Sequence, residues 1–394
     1  MKILNIFYIT IIIYILSGCS STKDNKKYEW EYQATEVDSQ APSQPPPPPP
    51  TPPPLPTIEI PRTNNEYKIL DIYYATDRQR NGHFSLNNYY TGQRDLENNV
   101  KYGVTQVTIP SSHKPGFIET PSIWRLEFSE NQKKHITIQD VNEYSKNDFF
   151  YLMNAKLNNK KEKSAFIFIH GYNVTFADAA KRTGQLAYDL GFQGVPILYS
   201  WPSMGETSKY TYDESNIKWS KLHIKNFLLD LSNISSIENI YLIAHSMGTR
   251  GLTRAYISAL NKSPLIKNKI REIILAAPDI DADVFKSEIA PEMSKLGVPI
   301  TLYSSSNDKA LKASKIVHGR PRAGDAGKDL ILLPEIENID SSSINTDFLG
   351  HSYFSNEKNI LNDIFYLIHQ NLRANERAGL ERVSTNKGTY WKFK

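Results

Sequence analysis

Between residues 165 and 303 the chain repeats one pattern, a short apolar run followed by a longer stretch with helical spacing. The runs are Ala165–Ile169, Pro196–Ser200, Asn239–Ala244, Glu272–Ala276 and Pro299–Tyr303. Short runs without polar alternation are what strands buried on both faces require. Phe176–Leu190, Tyr212–Ser232 and Thr249–Leu260 lie between them with helical periodicity, and Gly191 stops the first. Strand and helix in alternation imply right-handed crossovers, hence a parallel sheet with both faces covered. The predicted fold class is α/β, a mostly parallel central sheet with helices on both faces. Chemistry in such sheets gathers at the carboxyl ends of the strands.

Upstream, Tyr67–Ala75 and Val104–Ile109 read as strands by their β-branched and aromatic content, Ile136–Ile138 as a further short strand, and Asp148–Leu157 as a helix. Residues 78–99 are polar and turn-rich. A last helical stretch covers Ile360–Leu372.

The N-terminus has a different character. Met1-Lys2 precedes an apolar run from Ile3 to Leu16, then Leu16-Ser17-Gly18-Cys19-Ser20. This is short for a spanning helix, which needs about 20 residues. A charged start, an apolar middle and small residues at a cut describe a secretory signal. Cys19 is the chain's only cysteine. It stands where the bacterial lipobox places the thiol that is diacylated and becomes the new N-terminus. An uncleaved anchor with a chance cysteine is the competing reading. Residues 1–19 are thus expected to be a lipoprotein signal, with a lipid bilayer as partner through lipidated Cys19. The expected location is the bacterial cell envelope, and Ser20 favours the outer membrane in a Gram-negative cell. Residues 20–56 are polar and then proline-rich, with eleven of the 23 prolines between Pro42 and Pro56. Such a run is a semi-rigid polyproline spacer at about 3.1 Å per residue, rather than a ligand for a proline-binding module. Residues 57–394 remain as one large domain, with 57–160 as its lead-in.

Composition removes other classes. A net charge of +4 from 46 basic and 42 acidic residues is no footprint for nucleic-acid binding. One cysteine excludes an intramolecular disulfide framework and any cysteine-cluster metal site. No metal site and no cofactor is expected: the histidines are scattered, and neither a phosphate-loop nor a dinucleotide fingerprint follows a strand.

The third run ends in Ala244-His245-Ser246-Met247-Gly248. A serine flanked by small residues two positions away, between strand and helix, fits a nucleophile elbow. The plainer reading is a helix-capping serine. The elbow would aim the Ser246 hydroxyl over the sheet edge and bring the Met247 amide to a helix N-terminus, where it can donate to an oxyanion. The first run ends in His170-Gly171-Tyr172-Asn173, and the amide of Tyr172 or Asn173 could be the second donor; Tyr172 is preferred. His170 is expected to brace its loop. Elbows of this kind follow the order serine, acid, histidine. Of the three histidines after Ser246, His369 falls in a helix and His318 lies only ten residues past Asp308. His351, in a loop-like stretch before the last helix, is the expected base. Two places compete for the acid. Asp308 follows the fifth run, and Asp279 and Asp281 follow the fourth. Trp201, after the second run, either lines an acyl pocket or packs its own loop. Tyr210, Tyr212 and Asp213 continue that segment and are expected to cover the site.

Taken together these segments resemble a family of bacterial esterase/lipase-like α/β hydrolases of undefined function. They are Phe166–Asn173, Ser200–Ser203, Ala244–Gly248, Ala277–Asp281, Tyr303–Asp308 and Gly350–Ser352, with Tyr74-Ala75-Thr76-Asp77-Arg78 and Tyr102-Gly103 as lead-in. The resemblance covers about residues 70–355. It implies the α/β-hydrolase fold, Ser246 as nucleophile and His351 as base, and it supports Asp308 as the acid without settling it. It implies no substrate. The expected function is a membrane-tethered serine hydrolase of carboxylic esters. An inactive hydrolase-fold scaffold lipoprotein and an acyltransferase are the alternatives.

Overall fold

The computed structural model describes residues 66–82, 85–344 and 357–394. Cys19, the proline-rich spacer and His351 lie outside the described residues. Those described belong to one compact unit, Glu59–Lys394.

The chain enters through β1 (Tyr67–Thr76), makes a small hairpin of β2 (Arg78–Arg80) and β3 (Tyr90–Arg94), and returns through β4 (Lys101–Pro110) and β5 (Thr137–Tyr144). Helix α1 (Lys146–Asn158) leads to β6 (Ser164–Ile169), α2 (Phe176–Asp189) and β7 (Val195–Ser200). Next come α3 (Tyr210–Ser232), β8 (Asn239–His245), α4 (Gly248–Lys262) and β9 (Ile270–Ala276). Two short helices, α5 (Ala282–Val284) and α6 (Ala290–Ser294), precede β10 (Ile300–Ser304) and α7 (Lys309–His318). Strand β11 (Glu337–Asp340), helix α8 (Glu357–Gln370) and the hairpin β12 (Leu380–Thr385) and β13 (Gly388–Phe393) complete the described chain.

Eleven strands form one sheet in the order β12-β13-β11-β10-β9-β8-β6-β7-β1-β4-β5. From β1 across to β13 every neighbouring pair is parallel. Strands β4, β5 and β12 run antiparallel to their neighbours. This is the mostly parallel sheet that the five apolar runs predict. One consequence is not legible in the runs. Strand β1 lies parallel to β7, with Thr76 opposite Ser200, so Asp77 and Arg78 emerge at the same carboxyl edge as Trp201.

Both faces are covered. Tyr74, Phe166, Phe168, Leu198, Tyr241 and Ile243 share a buried cluster with residues of α2 and α8. On the other face Tyr73 meets Phe149 of α1 edge-on at 5.7 Å, and Tyr199 meets Phe227 of α3 at 5.7 Å.

The β2–β3 hairpin and helices α5 to α7 are not foreseen, and the remaining differences from expectation lie at the sheet margins. Strand β5 runs on from Ile138 to Tyr144 through the polar residues Gln139, Asp140 and Asn142, as an edge strand can. Strands β11 to β13 are not foreseen. In β12 only Leu380 is buried, so no apolar run marks it.

Candidate active site

Ser246 occupies the turn between β8 and α4 with φ at +48°, a left-handed conformation. For a residue with a side chain this costs on the order of 1–3 kcal/mol and needs the surroundings to hold it. They do. The Ser246 N–H donates to the Ala276 carbonyl at 2.9 Å, and its own carbonyl accepts the Thr249 N–H at 3.1 Å and the Thr249 hydroxyl at 2.6 Å. Glycine at 248 is obligatory for space. A Cβ there would lie 2.3 Å from the His170 carbonyl oxygen and 2.7 Å from that of Ile169. Helix α4 therefore starts directly against the end of β6. Met247 opens that helix, fully buried.

The loop after β6 lies against the elbow. A Cβ on Gly171 would be 2.9 Å from the His245 ring and 3.2 Å from the Ser246 Cβ. Beyond it, the Asn173 amide donates to the Asp213 carboxylate at 3.2 Å, with Asn173 itself left-handed at φ +59°. The amides of Tyr172 and Met247 make no hydrogen bond among the described residues.

His170 is buried and has a bracing geometry. Its ring stacks on Trp201 at 5.0 Å and 12°, while the indole N–H donates to the His170 carbonyl at 2.7 Å. Nε2 faces the Arg78 guanidinium at 3.3 Å, so it must accept; Nδ1 then donates to the Gly171 carbonyl at 2.8 Å. Burial, and next the Arg78 charge, hold the ring well below its ordinary pKa and therefore neutral. Trp201 is fully buried in this stack. Of the two readings, the described contacts are those of a loop-packing tryptophan.

Arg78 ties the carboxyl edge together, a role the sequence did not reveal. It is completely buried, and it donates to the Ser200 hydroxyl at 2.8 Å, the Ser203 carbonyl at 2.8 Å, the Val174 carbonyl at 2.8 Å and the Thr91 carbonyl at 3.2 Å. One guanidinium thus joins the loops after β6 and β7 to β3. Burial pulls it down to about 10, against the attraction of Asp213 and Asp77. Asp213 serves the same loops, accepting from the Ser203 hydroxyl at 2.6 Å and the Met204 amide at 2.9 Å. The sequence signals for Arg78 were its place just past a strand and its place in the Tyr74–Arg78 segment of the resemblance, neither of which shows this role.

The candidate acids divide clearly. Asp279 is 2% exposed and fully engaged. Its Oδ1 accepts Arg322 Nε at 2.8 Å and the Ser314 hydroxyl at 2.5 Å, and its Oδ2 accepts Arg250 Nη2 at 2.9 Å and the Tyr210 hydroxyl at 2.5 Å. Burial opposes its charge, but Arg250 and Arg322 more than offset this and hold the carboxyl below its usual range. Asp281 caps α5, accepting the Asp283 and Val284 amides at 2.9 and 3.1 Å. Asp308 caps α7 through the Leu311 amide at 2.8 Å and is 8% exposed. The chain leaving β11 runs beside the Asp308 loop, where the Ser306 amide donates to the Ser342 hydroxyl at 2.8 Å and the Asn307 side chain to the Ser342 carbonyl at 2.8 Å.

The other late histidines have other partners. His318 contacts the Ser314 carbonyl at 2.8 Å and Glu214 at 2.9 Å. His369 contacts the Leu190 carbonyl at 2.7 Å. Tyr210 and Asp213 brace neighbouring groups, and Tyr212 lies on the surface against Gln93. Among the described residues no cluster of three or more histidine, cysteine or acidic side chains is placed to hold a metal ion.

A strained serine at a strand–helix turn, on the carboxyl edge of a mostly parallel sheet, is hydrolase architecture. A family model described as an alpha/beta hydrolase of unknown function (DUF900) matches residues 145–370. The chain belongs to this family. This α/β hydrolase is also similar over part of its length to solved structures. Carboxylesterase CesB from Bacillus subtilis is 10% identical, over 57% of this chain and 98% of that one, with a TM-score of 0.30. Est1E from Butyrivibrio proteoclasticus, with bound ferulic acid, is 12% identical over 52% and 90%, with a TM-score of 0.32. Aspergillus fumigatus lipase B is 13% identical over 47% and 46%, with a TM-score of 0.27. No curated protein matches the sequence.

Proposed function

We propose that this α/β hydrolase cleaves carboxylic esters through a Ser246, His351 and Asp308 triad, and that lipidated Cys19 tethers it to a membrane of the bacterial envelope. The observation that carries the catalytic reading is the left-handed Ser246, held at φ +48° with Gly171 against it. A helix cap needs no such strain, because capping residues sit in extended backbone.

In this mechanism His351 takes the Ser246 proton as the hydroxyl oxygen attacks the ester carbonyl. The Met247 and Tyr172 amides receive the oxyanion. Tyr172 is preferred over Asn173 because the Asn173 amide is committed to Asp213. His351 then returns the proton to the leaving alcohol oxygen. A water, activated by the same base, releases the acid from Ser246. Asp308 orients the imidazole and stabilises its charged form. Asp279 is disfavoured for that role because its carboxylate already serves two arginines.

The test is turnover of a nitrophenyl ester ladder from acetyl to palmitoyl by the full chain, beside Ser246→Ala. Serine-dependent hydrolysis is expected, and the preferred rung reports the acyl length. Labelling by a serine-reactive phosphonate without turnover would favour acyl transfer or a narrow substrate. Neither labelling nor turnover would leave a scaffold.

A further inference from the structure

The connection from β4 to β5 carries the most exposed apolar side chains of the described domain that share one short segment. Within Ser122–Phe128, Ile123 is 69% exposed, Trp124 92%, Leu126 78% and Phe128 83%. An isolated exposed leucine is ordinary; four large apolar groups in seven residues are a contact surface.

This segment is internally built. The Arg125 and Glu127 amides both donate to the Ser122 carbonyl, at 2.9 and 3.1 Å, and the Leu126 amide donates to Ile123 at 3.0 Å. Glu127 gathers the polar groups inward, accepting from the Ser122 amide at 3.2 Å and Arg125 Nε at 2.9 Å and meeting the buried His135 at 3.1 Å. Leu126 stands in left-handed backbone at φ +57°, where asparagine or glycine would be less costly. Its polar groups satisfy one another and its apolar groups face out.

Its position says what it faces. Tyr67, at the start of β1, pairs with Pro110, at the end of β4, and the Ser111 amide donates to the Glu66 carbonyl at 2.9 Å. Lys133, on the same connection, pairs with Glu66 at 2.7 Å. Glu66, the first described residue after the proline-rich stretch, therefore lies against the connection that carries this projection. The carboxyl edge with Ser246 lies at the other end of β1, where Thr76 adjoins Ser200.

We propose that the Ile123–Phe128 projection inserts into the bilayer that holds the Cys19 anchor, seating the domain with its catalytic edge turned away from that membrane. The proposal rests on the tethered reading above. Trp and Phe beside Arg and Lys suit the headgroup boundary. Arg125 and Lys134 already lie near Glu127, so apolar insertion is the driving force rather than attraction to anionic lipid. A tether converts weak insertion into an intramolecular event, which is enough to orient the domain. The substrate then comes from the space beyond the anchoring leaflet, as a soluble ester or one on a facing surface.

The test uses the full chain reconstituted in phosphatidylcholine vesicles with and without brominated acyl chains. Trp124 fluorescence is isolated by subtracting the Trp124→Phe variant. A blue-shifted component that bromolipid quenches and that Trp124→Phe deletes is expected. Changing Ile123, Leu126 and Phe128 together to Ser should abolish that quenching while ester turnover is retained. The mass of the N-terminal peptide reports acylation of Cys19 separately. An unmodified Cys19 sinks the anchor reading, yet lipid quenching of Trp124 would still uphold the insertion. Trp124 unquenched by lipid overturns the insertion whether or not Cys19 is acylated. Trp124 silent to lipid but shielded from aqueous acrylamide would replace the bilayer by a protein partner.

Discussion

Replacing Asp279 by asparagine separates the two candidate acids by physics rather than by position. The Asp279 carboxylate is buried between Arg250 at 2.9 Å and Arg322 at 2.8 Å. Asparagine preserves the shape but removes the charge. Its single oxygen cannot serve all four donors, and its NH₂ would point at a guanidinium or hydroxyl that needs an acceptor. At an effective dielectric near 20, each charge pair at about 4 Å is worth roughly 4 kcal/mol before desolvation. Removing one partner of a buried pair typically costs about 3–5 kcal/mol, since the other charge stays buried and uncompensated. At roughly 2–4 °C per kcal/mol, the melting temperature should fall by about 10 °C. The sign with pH follows from the depressed carboxyl. Its contribution is present above the ordinary aspartate range and is lost as pH falls through the lowered folded value. Asp279→Asn should therefore flatten the acid limb of the stability profile. Thermal melts between pH 3 and 7, beside ester turnover at a temperature where the variant stays folded, make the assay. An unchanged melting temperature with abolished turnover would refute the reasoning and make Asp279 the triad acid.

Asp308→Asn is the converse experiment. Asparagine caps a helix about as well as aspartate, so α7 keeps its Leu311 cap and the melting temperature should hold, while kcat falls by about 10³–10⁴ as the base loses its orienting charge. Gly171→Ala places a methyl 3.2 Å from the Ser246 Cβ and forces the loop after β6 away from the elbow. Losing that oxyanion donor should lower kcat by about 10²–10³ with a modest loss of stability; full activity would show that the loop supplies no donor. Burial works against a charge on His113, but Asp189 and Glu119 more than compensate and push it up to about 9. Its stabilising effect is complete below the ordinary histidine pKa and is lost as pH rises through about 9, so the melting temperature should step down there and His113→Gln should remove the step.

The parallel sheet, its helices and the elbow were legible because each is local. Five apolar runs and the intervening helical spacing need no long-range knowledge. A serine between Ala244 and Gly248 likewise carries its turn within five residues. The margin formed by β11 to β13 was not legible, because strands such as Leu380–Thr385 bury a single side chain and leave no pattern.

The sequence alone thus determined the α/β architecture, the edge where chemistry gathers and the serine that stands there. Backbone sterics and hydrophobic periodicity act over a few residues, and the sequence displays them directly. Asp279 and Asp308 look alike in the sequence, each just past a strand. Only the tertiary structure brings Arg250 from α4, Arg322 from the chain after α7 and Tyr210 from α3 onto Asp279 and leaves Asp308 capping its helix. Arg78 is a second case, since its reach into two loops depends on β1 lying parallel to β7. Electrostatic roles are set by neighbours in space, and those neighbours come from segments tens to hundreds of residues apart.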